Sequence, residues 1–299
     1  MKKLYALTLI FFSIIELFAQ DHKVILTNKQ GVNQMQDGFS ETIPNAQFPF
    51  GEPLRILRQQ DRTPKKVFVL GVYASAVHAR WYSPDGRVIG EALAVASEPG
   101  IFWNGENAAE IISRITVPSE VGYLKAAEDK YNGTSGRALD ELYLAPLGFS
   151  RSNAWLCDLV PHSFMNENQE KVIRTRYAPL CEKYNLPIAS IPEKPVSLID
   201  EKRRNEIVAE LEESQAETII LLGDDPLKWF LSFVSDCKKT RLAEFGRNTY
   251  GSPVSVNING KIYQVLPLVH MRHSGAIGTH DDGWKQLHNN WVESMNRKK

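Results

Sequence analysis

The chain has 299 residues, 43% hydrophobic and 23% charged, and its 35 Lys plus Arg balance 35 Asp plus Glu, so the formal net charge is zero. That is an ordinary globular composition, long enough for one large α/β domain or two small ones; the charge balance neither supports nor excludes DNA, because a nucleic-acid binder needs only a local basic patch. The cysteines, Cys157, Cys181 and Cys237, are widely spaced and form no CxxC motif, which argues against a zinc or iron–sulfur site and fits reduced thiols in a cytosol better than a disulfide framework.

Residues 1–34 can be read in two ways. Lys2 and Lys3 precede an apolar run from Leu4 to Phe18, the pattern of a secretory signal and too short for a membrane span. Alternatively, Gln30-Gly31-Val32 can be encoded so that the message carries a ribosome-binding sequence just before the codon of Met35, and residues 1–34 would then be translated upstream sequence. The rest of the chain favours the second reading and a cytoplasmic protein; an exported one is the alternative. Residues 35–64, rich in Gln, Asp, Pro and Gly, read as a surface arm that Phe48-Pro49-Phe50-Gly51 packs onto a domain spanning 65–299.

The first strand is Val67–Leu70, an unbroken apolar run of the kind buried on both faces in a parallel sheet. It stops at Gly71, and Ala74, Ser75 and Ala76 follow, so the backbone there can lie close to a ligand. His78 and Arg80 are expected on a first helix that holds the fold. Ser83-Pro84-Asp85-Gly86 marks a hairpin turn. Helices are expected over 107–115 and over 137–144, the latter opened by Gly133-Thr134-Ser135-Gly136 and ended by Pro146.

The second strand is Ala154–Cys157, with Asp158 at its tip. A charged residue there is either solvated or functional. Residues 163–185 should contain helix, 200–214 a charged helix, and Thr218–Leu222 a third strand. Asp225 is expected to cap a helix that has Pro226 at its first position. Asn259-Gly260 is the clearest hairpin signal. The fourth strand runs out to His270, and a last helix spans 282–295. Four strands, most followed by helix, predict an α/β protein: a three-layer α/β/α sandwich around a central four-stranded, mainly parallel sheet.

In such a sheet Gly71–Ser75, Asp158 and His270 share one edge. With Gly71-Val72-Tyr73-Ala74-Ser75, the run Gly133-Thr134-Ser135-Gly136-Arg137-Ala138-Leu139, the strand before Asp158, and His270-Met271-Arg272, the chain resembles the uracil-DNA glycosylase superfamily over roughly residues 65–295. The resemblance implies a DNA partner, a base flipped from the stack, and hydrolysis of its N-glycosidic bond. It implies a base pocket of Gly71, Val72, Ala74, Tyr131 and Asp158, with Tyr131 stacking on the base. It implies catalysis by His270, which would stabilise charge on the leaving base, and DNA contacts from Ser75, Arg272, His273 and Ser274.

Three departures bear on activity. Tyr73 stands where the family positions the attacking water, and tyrosine is a poor base near neutral pH. Ala74 replaces the motif's proline. Asp158 replaces the base-reading asparagine; ionised it can only accept, which suits a base with an exocyclic amine, and protonated it could also donate. A glycosylase with altered base preference is therefore expected, without metal or cofactor and as a monomer. The alternative is a binding module with the same pocket and no catalysis. The exported reading would make the chain an α/β protein acting on small nucleosides or unrelated ligands.

Overall fold

In the computed structural model, residues 41–275 and 282–298 are described. The signal-like segment 1–34, Met35 and the first residues of the expected arm lie outside them. The remainder of that arm is not irregular. Strands β1 (Glu41–Gln47) and β2 (Pro53–Ile56) pair antiparallel. Asn45 adopts a left-handed φ of 60° where the pairing register shifts. A bulge of this kind breaks the two-residue alternation by which a strand is recognised. Between the strands, Phe48 and Phe50 are buried as expected, and Phe50 meets the rings of Trp81 and Tyr177 edge-on at 5.7 and 5.1 Å.

Next come β3 (Val67–Tyr73), β4 (Ala76–Tyr82), β5 (Val88–Ser97) and β6 (Tyr123–Ala126). The expected first helix is β4, so His78 and Arg80 lie on a strand. Val77, Ala79 and Trp81 are buried while His78, Arg80 and Tyr82 are partly exposed. That two-residue period lets β4 sit between β5 and β6 in an antiparallel sheet of order β5-β4-β6. The Ser83–Gly86 turn joins β4 to β5 as predicted.

The remaining strands are β7 (Ala154–Val160), β8 (Thr218–Leu222), β9 (Val254–Ile258) and β10 (Lys261–Leu268). With β3 they form a mixed sheet of five strands, order β7-β3-β8-β10-β9. The four strands expected from the sequence are parallel; the fifth, β9, is antiparallel to β10 across the Asn259-Gly260 turn. Both turn residues have positive φ, 50° and 87°, as the tight hairpin geometry requires.

Strand β3 is buried on both faces. Phe68, Leu70 and Val72 pack with Trp155, Cys157, and with Ile207 and Leu211 from the helix Glu201–Ser214. Val67 and Val69 pack with Leu156, with Leu139 and Tyr143 of the helical segment that begins at Thr134, and with Trp291 of the helix Asp282–Asn296. The fold is thus α/β, its central strands apolar on both sides because helices cover both. The outer edge of β7 is occupied by the segment after β2. Leu57 N–H donates to the Pro161 carbonyl (2.7 Å), Lys66 N–H to that of Asn153 (2.9 Å), and Leu156 N–H to Gln59 Oε1 (3.0 Å). Among the described residues no helix is long and apolar enough to cross a membrane.

Candidate active site at the carboxyl edge of the sheet

The strand order reverses direction between β3 and β8: from β3 the chain moves outward to β7, then crosses back to β8 and continues to β10. Loops leaving adjacent strands in opposite directions open a crevice at the carboxyl edge, the usual ligand position in an open α/β sheet. A cleft of about 760 Å³ lies there, and its lining includes Val72, Tyr73, Ala74, Ser75, Tyr131, Asp158, His270, Arg272 and His273. Residues separated by some two hundred positions in the chain therefore share one cavity.

Gly71 stands directly opposite Asp158 in the β3–β7 register. A Cβ on Gly71 would land on Asp158 Oδ1 and lie 2.5 Å from Cζ of Phe102. The missing side chain is what admits the carboxyl and the ring side by side. Asp158 is not at a strand tip as expected, since β7 continues to Val160, and it is 3% exposed. Burial pushes its carboxyl up to about 7, with the charge of Arg203 opposing the shift.

Phe102 was not evident from the sequence. It has a left-handed φ of 51° and lines the cleft, and non-glycine residues held there are often functional. The Gly133-x-x-Gly136 pair explains its position. A Cβ on Gly133 would strike the backbone of Asn104 and Gly105, and one on Gly136 the carbonyls of Phe102 and Trp103. The two glycines let the 101–105 loop lie on the start of the following helix. Arg151 locks the arrangement, donating to the Phe102 carbonyl (2.5 Å) and the Gly136 carbonyl (3.0 Å) while pairing with Asp140 at 2.8 Å.

Glu98 was also missed, although a charged residue closing the apolar run of β5 is the same signal that singled out Asp158. It lines the cleft, is 2% exposed, and its Oε1 has no hydrogen-bond partner among the described residues. Burial, and next the charge of Asp158, push its carboxyl up to about 8; the Ser75 backbone N–H and the charge of Arg151 pull the other way.

His270 follows β10. Arg272 N–H donates to its Nδ1 (3.2 Å), so the neutral ring carries its proton on Nε2. Desolvation, reinforced by the charges of His273, Arg272 and Lys194, lowers its pKa to about 4. The ring is a neutral donor at physiological pH. Its loop is held from beneath: the Tyr143 hydroxyl donates to the Val269 carbonyl (2.8 Å) and the Val269 N–H donates to the Tyr250 hydroxyl (3.1 Å).

The remaining predicted residues line the mouth, with one exception. Tyr73 is 42% exposed, its ring edge-on to Phe164 at 5.4 Å and its face under Lys194 Nζ at 5.5 Å. Tyr131 lies at the rim, 38% exposed, with Lys130 Nζ over its ring. Ser75, Arg272 and His273 are exposed there too. Ser274 stands apart. It is buried, its hydroxyl donates to the Met271 carbonyl at 3.0 Å, and it does not line the cleft. It pins the loop instead of facing outward.

Lys130, Lys194, Arg241 and Arg272 also line the cleft, beside Asp224 and Asp225. Asp224 accepts from Leu242 N–H at 2.8 Å, Asp225 pairs with Lys194 at 3.7 Å, and Lys130 pairs with Glu128 at 2.8 Å. The helix expected to be capped by Asp225 starts two residues earlier than Pro226, at Asp224, after Gly223 with φ 88°. Among the described residues no group of three or more His, Cys, Asp or Glu could hold a metal ion. No protein-family model matches the chain, and no curated protein is found similar to it.

Proposed function

We propose that the chain is a DNA glycosylase-like protein, related to the uracil-DNA glycosylase superfamily, that takes a flipped base into this cleft and hydrolyses its N-glycosidic bond. The observation that carries the reading is a buried Asp158, set against Gly71 and Phe102, sharing one cleft with His270, whose Nδ1 accepts from Arg272 N–H and leaves Nε2–H as its donor. Asp158 with its proton offers a donor and an acceptor side by side, which suits the edge of a base carrying a ring nitrogen acceptor beside an exocyclic amine. Phe102, beside Asp158, provides an apolar face for the ring of that base. His270 stabilises the charge that develops on the base as the bond breaks. Arg272, Lys194 and Lys130 meet phosphates at the rim. On this reading the helices on both faces of the sheet make a three-layer α/β/α sandwich, and the chain works on DNA in the cytoplasm.

The binding-module alternative draws on Tyr73, which is packed against Phe164 under Lys194 and supplies no base. Labelled oligonucleotides carrying a mismatched adenine or cytosine, beside ones carrying uracil, hypoxanthine, xanthine or a mismatched thymine, test the proposal, with His270→Ala alongside. Alkali-labile strand breaks that vanish in H270A support an enzyme. Retained binding without breaks on any substrate supports the module.

A further inference from the structure

At the wall of the cleft, one oxygen of a buried carboxyl, Glu98 Oε1, has no hydrogen-bond partner among the described residues. At comparable depth Glu210, an ordinary structural acid, accepts from Trp155 Nε1 (3.2 Å) and pairs with Arg203 Nη1 (3.2 Å). Glu98 has no such partner for Oε1. The nearby guanidinium, Arg151, has its hydrogen bonds committed to Asp140, Phe102 and Gly136. Burying a carboxyl without a partner costs stability. A position that keeps one at the wall of a cleft is positioned for a ligand or a reaction.

We infer that Glu98 is the catalytic residue that activates water in this cleft, the role that Tyr73 occupies by sequence and cannot perform. The inference rests on the glycosylase reading and deepens it. Tyr73 sits at the mouth, its ring held by Phe164 and Lys194, and a phenol is a weak base at neutral pH. Asp158 lies against Gly71 and Phe102, where a base would be read. Glu98 directly follows β5, a strand of the separate antiparallel sheet, so its position in the cleft is a product of tertiary structure.

In the step assigned to it, the water oxygen bonds to C1′ of the sugar as the C1′–N bond breaks. The bonding pair leaves with the base, whose charge His270 Nε2–H stabilises. Glu98 acts in its ionised form: it takes the proton released by the water and returns it to the departing base or to solvent, so cleavage should rise with pH toward about 8. One water is consumed, and the products are the free base and a sugar hydroxyl.

The test compares Glu98→Gln, Glu98→Asp and Tyr73→Phe by single-turnover cleavage, DNA affinity and melting temperature. E98Q should cleave about 10²–10⁴ times more slowly, the usual contribution of a positioned general base, with E98D intermediate. Y73F should lose less than E98Q, since the phenol is not the proton acceptor. DNA affinity should be unchanged in all three, and E98Q should melt at or above the wild-type temperature. Cleavage by E98Q at the wild-type rate overturns the inference alone. So does a lowered melting temperature in E98Q, which marks a structural acid. A wild-type chain that cleaves nothing overturns the glycosylase reading and this inference with it.

Discussion

The Tyr250 hydroxyl lies 2.7 Å from Nδ1 of His288. The direction of that bond is determined, because His288 Nε2 lies 3.1 Å from the Leu142 carbonyl, which can only accept. The ring donates from Nε2, accepts at Nδ1, and Tyr250 is the donor. The same tyrosine oxygen accepts from Val269 N–H, one residue before His270. Tyr250→Phe therefore strands two buried groups at once. The expected loss is about 1–3 kcal/mol per orphaned group, read as a lower urea midpoint at constant m. Turnover should fall more than DNA affinity, since the loop of His270 loses a support while the rim is untouched.

His288 also sets an acid limit. Desolvation lowers its pKa from 6.5 to about 4, so the unfolded chain takes up its proton first. Stability from the neutral ring is complete above pH 6.5 and is lost as pH falls toward 4. Denaturant titrations at pH 7 and pH 4.5 should show this loss, and it should be smaller in His288→Gln, which cannot titrate.

Glu98 predicts the opposite slope. Its folded pKa is raised, so its contribution is greatest below its ordinary value of 4.5 and is lost as pH rises toward about 8. Asp158, Arg151 and the Ser75 N–H are the groups that act on it. E98Q should gain on wild type between pH 5 and pH 8, at about 1.4 kcal/mol per unit of folded-state shift relieved. Equal stabilities at both pH values would show that Glu98 is not desolvated in solution.

Gly71→Ala should disable the pocket. The new methyl meets Asp158 Oδ1 and the Phe102 ring, and overpacking of this kind costs about 1–3 kcal/mol. Melting temperature and DNA affinity should fall together. An alanine variant that binds DNA like wild type would show that Asp158 and Phe102 can move apart.

Arg272→Ala and Lys194→Ala should each weaken DNA binding uniformly across sequences. Each phosphate contact removed should reduce the slope of log K against log salt by about 1. An unchanged slope in both variants would move the DNA path away from this rim.

The four parallel strands were legible because a strand buried on both faces is written as a continuous apolar run. The Asn259-Gly260 turn was legible because its positive φ values select those residues. Gly71, Asp158 and His270 were found at one edge because parallel strands all deliver their loops there. Strand β4 departs from the helix expected at His78 and Arg80, although Val77, Ala79 and Trp81 already alternate in the sequence. Phe102 was hidden because its position depends on two glycines some thirty residues away, and Ser274 because a serine's sequence does not reveal which way its hydroxyl turns. Glu98 carried a signal that was there to be read.

The segment from Leu57 to Lys66 gives β7 its outer neighbour without being a strand. An open sheet edge is a template on which another molecule can add a strand. This stretch acts as a chaperone in cis: its amides occupy bonds that a second copy would otherwise take. Without residues 41–64 the Pro161 carbonyl and the Leu156 N–H would lose these partners, and the core would lose Phe48, Leu54 and Leu57.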